Sequence, residues 1–95
     1  TFDTLEETIQ KLKDKPIYVT VDLDVLDPSV FPGTGTPEAG GVSFEELRCA
    51  IELIGRHCNV VAADMNELSP IYDQSGASTA VACKILREML LSLHK

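Results

Sequence analysis

Ile17-Tyr-Val-Thr-Val-Asp-Leu-Asp24 is the part of this 95-residue chain that says most about its architecture. The residues up to Val21 are β-branched, aromatic or aliphatic, which predicts a strand buried on both faces of a parallel sheet. Asp22 and Asp24 follow where the strand gives way to a loop. Because α/β folds place binding sites at the carboxyl ends of parallel strands, this run predicts both a fold class and the position of a site.

Helical patterns lie on either side of this strand. Thr4 with Glu7 forms a predicted capping box at the start of a first helix. Ser43 with Glu46 forms a second capping box, and we expect that helix to stop at Gly55. Apolar residues at helical spacing predict the buried faces: Leu5, Ile9 and Leu12 in the first helix, and Leu47, Ala50, Ile51 and Ile54 in the second.

A second strand and a last helix complete the pattern. Residues 59–65 are apolar and short enough for a strand, and residues 75–92 form a helix with so narrow a polar stripe that we expect most of it to be covered. The order α-β-α-β-α predicts an α/β fold with two parallel strands. Two apolar strands alone make a poor sheet, so we expect the chain to be a portion of a larger domain.

Composition excludes several functional classes. The chain is 44% hydrophobic and 24% charged, as in ordinary globular proteins. Fifteen acidic against eight basic residues leave a net charge of −7, which gives no electrostatic footprint for nucleic acid, and no apolar run is long enough for a membrane span. Three widely spaced cysteines predict free, buried or half-buried thiols and a cytoplasmic location.

The two aspartates after the first strand form a candidate metal site. If Asp22 and Asp24 lie on one strand, their side chains point to the same face. Neighbouring carboxylates repel each other, and a divalent cation between them stabilises their ionised forms. Oxygen ligands favour magnesium, calcium or manganese. A pair of turn-forming or capping aspartates is the alternative, and the motif alone does not separate the two.

Two segments together resemble the ureohydrolase superfamily of arginases and agmatinases. The first is Val19-Thr-Val-Asp22-Leu-Asp24-Val-Leu-Asp27-Pro28 with the following Pro32-Gly-Thr-Gly-Thr-Pro37-Glu-Ala-Gly-Gly41, and the second is Asp64-Met-Asn-Glu67-Leu-Ser-Pro70-Ile-Tyr-Asp73. The resemblance is closest to agmatinases, because Val25 stands where arginases usually carry glycine.

This resemblance implies specific roles. Asp22 and Asp24 would be ligands of a two-manganese cluster, and Glu67 would be the catalytic carboxylate that binds the substrate guanidinium, with Thr36 lining the same pocket. The implied fold is the C-terminal portion of a three-layer α/β/α arginase-like domain. The implied activity is hydrolysis of a guanidino compound, most similar to conversion of agmatine to putrescine and urea, in a full-length protein that forms homo-oligomers.

One departure from the family pattern matters. The histidine ligands of the family lie in upstream motifs that this sequence lacks. We therefore expect residues 1–95 to be a single C-terminal fragment of a ureohydrolase domain. Its partners would be the rest of that chain and a small guanidino substrate, and alone it should be inactive.

The sequence is also compatible with three other functions. An arginase or a guanidinobutyrase of the same superfamily would share the motifs and differ in substrate. A haloacid-dehalogenase-type magnesium phosphohydrolase also begins with an apolar strand and D-x-D, but it needs a lysine near the site, and Lys84 is a poor candidate. A non-catalytic scaffold would use the acidic pair only as caps.

The remaining polar residues have simpler interpretations. Asp27 precedes a proline and is expected to be a turn or helix-capping aspartate in preference to a metal ligand. Asp64 is expected to support the site residues or the loop backbone, and Asp73 to cap the last helix. His57 and His94 lie outside the motifs and are expected at the surface.

Overall fold

The computed structural model describes residues 2–93, and its elements follow the predicted order α-β-α-β-α. His94 therefore falls outside the described residues. The helices are α1 (Leu5–Leu12), α2 (Phe44–His57) and α3 (Ala77–Leu93), the strands are β1 (Pro16–Asp22) and β2 (Asn59–Asn66), and short 3-10 turns span Leu23–Val25 and Pro70–Tyr72. Within residues 2–93, no helix combines the length and apolarity needed to cross a membrane.

The sheet is parallel, as the α-β-α-β-α order predicts. Thr20 is aligned with Asp64 and Asp22 with Asn66, after a register shift near the start of β1. Both strands therefore end at the same edge of the sheet. That edge is where the first acidic motif leaves β1 and where the second motif leaves β2.

The prediction that β1 is buried on both faces is wrong for this chain. Val21 is buried in the core with residues of α2 and α3, but Tyr18 is 61% exposed and Thr20 is exposed as well. The hydroxyl-bearing residues Tyr18 and Thr20 alternate with Val19 and Val21, so one face of the strand is apolar and the other is polar. This alternation is readable in the sequence and outweighs the overall apolar character of the run.

The core extends from the helices into the loop that follows β1. Leu23, Leu26 and Phe31 are almost completely buried and pack with apolar residues of α2 and α3. Leu26 also forms an isolated parallel bridge with Val42, which closes the long connection at its base. The loop is therefore fixed by apolar burial at one end and is not a freely moving segment.

The two predicted capping boxes have different outcomes. At α2, the Ser43 hydroxyl accepts from the Glu46 backbone and the Glu46 carboxylate accepts from the Ser43 backbone, so that box is confirmed. At α1, the Thr4 side chain makes no capping hydrogen bond, and this prediction is wrong. Thr4 has a backbone conformation outside the extended region that capping residues use.

Gly55 does not end α2, contrary to the prediction. The helix continues to His57, and Gly55 is buried inside it. A Cβ atom at this position would lie 2.0 Å from the Ser92 carbonyl oxygen of α3. The glycine therefore permits a close approach of the two helix backbones.

The last helix is less covered than its narrow polar stripe predicts. Ile85 and Met89 are buried, whereas Leu90 is 66% and Leu91 is 68% exposed. The reason is that α2, the loop after β1 and one face of the sheet pack on one side of α3 and leave Leu90 and Leu91 uncovered within residues 2–93.

The thiol prediction is correct in part. All three cysteines are free, and Cys58 is buried, but Cys49 and Cys83 are exposed.

Candidate functional site

The site residues predicted from the sequence lie on three segments that meet at one edge of the sheet. Asp22 is the last residue of β1, and its register partner Asn66 is the last residue of β2. Glu67 follows directly after Asn66, so the first and second motifs lie at adjacent strand ends. This is the edge at which α/β folds bind ligands.

Asp22 and Asp24 do not share a strand face in the way that the D-x-D spacing predicts. Strand β1 ends at Asp22, and the next three residues form a 3-10 turn in which the Leu26 backbone NH donates to the Leu23 carbonyl at 3.1 Å. Leu23 is fully buried, and this burial bends the chain away from the strand direction. The strand-period argument therefore applies to Asp22 and not to Asp24.

Asp24 and Thr36, both predicted site residues, are in direct contact. The Thr36 hydroxyl donates to Asp24 Oδ2 at 2.7 Å, although the two residues are twelve positions apart. Thr36 also lies within reach of Thr34, whose side chain is almost completely buried at 2% exposure and accepts from the Thr36 backbone NH at 3.4 Å. The loop thus brings a hydroxyl donor to one of the two candidate ligands.

Glu67 has an unusual backbone. Its φ angle is +80°, and it is the one non-glycine residue with positive φ among residues 2–93. Such conformations cost on the order of 1–3 kcal/mol and concentrate at functional sites. The Glu67 side chain is exposed, and within the described part of the chain its carboxylate has no hydrogen bond or ion pair. It is available to a cationic ligand.

The carboxylates of this chain fit part of a metal site. Asp22 is exposed and its carboxylate has no hydrogen-bonding partner in residues 2–93, and Asp24 presents a second carboxylate close to it in the chain. Their oxygen atoms suit manganese or magnesium. No group of three or more potential ligands from His, Cys, Asp and Glu forms within the described residues, so these two cannot complete a coordination shell.

Asp64 links the two strands on the exposed face of the sheet. Its carboxylate accepts from the Tyr18 hydroxyl, from the Thr20 hydroxyl at 2.6 Å and from the Asn66 amide at 2.6 Å. The hydrogen bond from the Thr20 hydroxyl, and next that from the Tyr18 hydroxyl, lowers the Asp64 pKa. The hydrogen bond between Tyr18 and Asp64 also raises the pKa of Tyr18. Asp64 therefore bonds to side chains of both strands; of its two expected roles, contact with the loop backbone is not found within residues 2–93, and support of the site residues stays a prediction.

Sequence reasoning missed the partners of Asp64. Tyr18, Thr20 and Asn66 complete a polar network beside Asp22. The signal that could have found them is the two-residue spacing of polar side chains in both strands, which places them on one face. In β1, Val19 and Val21 alternate with these polar residues, so the strand reads as apolar overall.

Asp27 forms a turn, as predicted. Its carboxylate accepts from the Ser29 backbone NH at 3.0 Å and the Gly40 backbone NH at 3.0 Å, so it joins the two ends of the long loop. The Ser29 hydroxyl and then the backbone donors hold the Asp27 pKa below its usual value. With its oxygens occupied in this way, Asp27 is a structural residue of the loop.

Two further sequence expectations concern side chains away from the site. His57 is exposed at the end of α2, as predicted. Lys84 lies on α3 and lines a surface groove with Arg48 and Glu88, and that groove contains none of the predicted site residues. The lysine that a phosphotransferase site would need is therefore not brought to Asp22.

Comparison with known proteins supplies an independent line of information. Residues 1–92 match the sequence model of the arginase family. The chain is 47% identical over 94 residues to the agmatinase of Bacillus subtilis, covering 98% of this chain and 32% of that protein. It is 45% identical over 92 residues to the human mitochondrial guanidino acid hydrolase, covering 94% of this chain and 25% of that protein.

Solved structures of agmatinases and arginases have a fold similar to that of this chain. A Clostridium difficile protein assigned as an agmatinase superposes with a TM-score of 0.90 at 53% identity, covering 97% of this chain and 34% of that one. The arginase of Bacillus caldovelox superposes with a TM-score of 0.82 at 32% identity, covering 97% of this chain and 30% of that one. The chain thus spans between a quarter and about a third of the length of these relatives, and its α/β fold with parallel strands is arginase-like.

Proposed function

Because this chain belongs to the arginase family, we propose that it supplies part of the active site of a manganese-dependent hydrolase of guanidino compounds, with agmatine as the preferred substrate. The observation that carries this proposal is the meeting of the two motifs at one sheet edge. There the Thr36–Asp24 contact lies on the loop after β1, and the strained Glu67 follows β2. Asp22, Asp24, Thr36 and Glu67 are the residues to which we assign the site.

We also propose that residues 1–95 are the C-terminal portion of the parent domain. In this proposal the remaining ligands, including the histidines, come from the rest of the parent chain, so the 95-residue chain alone is inactive. The incomplete set of potential ligands within residues 2–93 supports this. A cytoplasmic location and assembly into homo-oligomers stay predictions, and the three free cysteines agree with the former.

Substrate binding in this proposal rests on Glu67. A guanidinium is planar, cationic and resonance-stabilised, so neutral water attacks its carbon slowly. A carboxylate can hold such a group through paired, charge-assisted hydrogen bonds that fix its plane. Because the Glu67 carboxylate has no competing partner in residues 2–93, it can orient the guanidinium carbon for attack.

Metal binding in this proposal rests on Asp22 and Asp24. When bound, a pair of metal ions lowers the pKa of water and acts as a Lewis acid toward the substrate. The Thr36 hydroxyl donates to Asp24 Oδ2, which limits the rotation of that carboxylate and leaves its other oxygen available. Hydrolysis adds water to the guanidinium carbon and breaks one C–N bond, releasing urea and a primary amine, which for agmatine is putrescine.

The choice of agmatine rests on similarity to relatives. The chain is 47% identical to an agmatinase and 45% identical to a guanidino acid hydrolase, so the identities alone separate these substrates weakly. An arginase or a guanidinobutyrase is therefore the alternative within the family. A non-catalytic scaffold is the alternative outside it.

The test is urea release by the longer protein that contains this chain, incubated with manganese and with agmatine, guanidinobutyrate or arginine. We expect agmatine to give the highest kcat/KM and chelation of manganese to abolish turnover. Asp24→Ala should remove activity and metal binding together. Glu67→Gln should lower kcat/KM by about a hundredfold because it removes a charge-assisted contact worth roughly 2–3 kcal/mol.

The controls separate the alternatives. Gln74→Glu changes charge at an exposed position near the second motif and should leave turnover unchanged. A higher kcat/KM for guanidinobutyrate or arginine would replace agmatine within the family. Equal manganese-binding heats for the wild type and for Asp22→Ala/Asp24→Ala would favour the scaffold.

A further inference from the structure

Gly33 joins the loop after β1 to the segment after β2 through both of its backbone polar groups. Its NH donates to Ser78 Oγ at 2.8 Å, and its carbonyl accepts from the Ser69 NH at 2.7 Å. Ser69 belongs to the second motif, and Ser78 lies in the first turn of α3. The loop that carries Thr36 is thus fixed to two elements that are far away in sequence.

Ser78 is the buried centre of this junction. Its side chain is fully buried, its hydroxyl donates to Asp73 Oδ2 at 2.6 Å, and its backbone NH donates to the same carboxylate oxygen at 2.9 Å. A serine hydroxyl has one proton, so donation to Asp73 leaves only its lone pairs for Gly33. The direction of every bond in the chain Gly33–Ser78–Asp73 is therefore determined.

Asp73 has a stable charge in this arrangement. Hydrogen bonds from the Ser75 hydroxyl and then from the Ser78 hydroxyl and backbone lower the Asp73 pKa to about 2. The carboxylate is ionised at neutral pH and can only accept. Asp73 also satisfies an NH group of the first turn of α3, which confirms the capping role predicted for it.

The packing leaves no room for another residue at Gly33. A Cβ atom there would lie 2.6 Å from Ser78 Cβ and 3.3 Å from Asp73 Cβ. The glycine is needed because the loop backbone contacts Ser78 directly. Three residues further along, Thr36 donates to Asp24.

We propose that Ser78, held in place by Asp73, is a positioning residue that fixes residues 33–36 and thereby the contact between Thr36 and Asp24. Its importance for catalysis rests on the proposed function, which assigns Asp24 to the metal and Thr36 to the substrate pocket. Ser78 itself does not contact any proposed site residue through its side chain. It acts through the backbone of Gly33.

The test uses nuclear magnetic resonance on the 95-residue chain and compares Ser78→Ala with Ser92→Ala. Ser92 is a matched control because it lies on the same helix and its hydroxyl bonds to Glu88 at 3.2 Å. In Ser78→Ala we expect amide exchange of Gly33 to become about tenfold faster, the effect of losing one hydrogen bond. We also expect the Thr36 and Asp24 signals to shift, and both effects to be absent in Ser92→Ala.

A purely structural role would give a different result. It would lower the unfolding midpoint in Ser78→Ala while the Thr36 and Asp24 signals of the folded state kept their positions, and this outcome overturns the proposal. If Ser78→Ala does not fold, Asp73→Asn is measured in its place, because it keeps Ser78 and removes the charge that orients it. Wild-type exchange at Gly33 and wild-type signals for Thr36 in Asp73→Asn also overturn the proposal.

The same variants distinguish this inference from the proposed function. In the longer protein, Ser78→Ala should lower kcat/KM for agmatine by about tenfold or more through misplacement of the loop, and Ser92→Ala should not. Unchanged turnover in Ser78→Ala overturns the positioning role. A longer protein that releases no urea contradicts the proposed function, while the magnetic resonance result still decides whether Ser78 positions the loop.

Discussion

Glu67 combines a strained backbone with a side chain that has no hydrogen bond or ion pair within residues 2–93. Its φ of +80° is a conformation that glycine adopts without cost, and a glutamate adopts it only where the surrounding structure imposes it. Glu67 lies in the short connection between the end of β2 at Asn66 and the turn that begins at Pro70. A residue kept at this position in spite of its strain is expected to serve the site and not the stability of the fold.

We predict that Glu67→Gly stabilises the chain by about 1 kcal/mol, because glycine removes the left-handed strain. The same change should abolish guanidine hydrolysis in the longer protein, since it also removes the carboxylate. Chemical denaturation and urea release measure the two effects. Glu67→Ala is the control: it removes the carboxylate but keeps a Cβ, so it should lose activity without gaining stability. Equal stabilities of the Gly and Ala variants would refute the strain argument.

The Asp73 carboxylate predicts a dependence of stability on pH. Its folded pKa of about 2 lies below the value of about 3.9 expected in the unfolded chain. The ionised form is therefore favoured by folding, and its stabilisation is present above about pH 4 and is lost as the pH falls toward 2. Asp73→Asn should be less stable than wild type at pH 7, and the difference should shrink at pH 3.

Urea denaturation at several pH values checks this expectation. Asp14→Asn is a suitable control, because Asp14 is exposed and has no hydrogen bond within residues 2–93. A stability difference between wild type and Asp73→Asn that stays constant from pH 7 to pH 3 would contradict the pH argument.

Helices α2 and α3 pack closely enough for backbone contact. Gly55 is a point of close approach, and a Cβ atom there would overlap the Ser92 carbonyl oxygen at 2.0 Å. In an exposed helix, replacing glycine by alanine gains about 1 kcal/mol of helix propensity. At Gly55 the added Cβ would overlap backbone atoms of α3, which cannot rotate away as a side chain can, so the steric effect is the larger one.

We therefore predict that Gly55→Ala destabilises the chain by about 2 kcal/mol, measured by chemical denaturation. Gly35→Ala is the matched control, because its Cβ would stand 3.7 Å from the Tyr72 ring, an ordinary contact, and its backbone has no positive φ. A stabilising effect of Gly55→Ala would show that helix propensity exceeds the steric overlap.

The molecule as a whole leaves apolar surface uncovered. Val61 at the edge of β2 is 64% exposed, and Leu86 and Leu90 of α3 line a groove beside it. In a chain that spans about a third of the length of its relatives, this surface has no partner within residues 2–93. Exposed leucines in a row next to an open strand edge favour association.

We predict that the 95-residue chain self-associates in solution and that Leu86→Lys/Leu90→Lys weakens this by at least about tenfold, since burying one leucine contributes roughly 1.5 kcal/mol. Sedimentation over a range of concentrations measures it. Gln10→Lys/Thr79→Lys adds the same two charges at exposed polar positions and should leave association unchanged. If both double variants weakened self-association to the same extent, the cause would be net charge and not the loss of the leucines.

Much of the architecture follows from local patterns. Alternation of apolar runs with helical stripes was enough to predict five elements in the correct order, because periods of two and 3.6 residues reflect which side of each element is buried. The Ser43–Glu46 box was readable for a similar reason, since its two hydrogen bonds span only three residues. The family and the position of the acidic motifs also came from the sequence alone.

Contacts between distant segments could not be read in this way. The bend that separates Asp24 from β1 depends on the burial of Leu23 in a core shared with α2 and α3, and no local pattern in the sequence indicates the positive φ of Glu67. The bond from Gly33 to Ser78 joins residues 45 positions apart. Such positions are set by packing among elements that meet only in the folded chain, because burial and steric overlap depend on three-dimensional neighbours and not on spacing along the sequence.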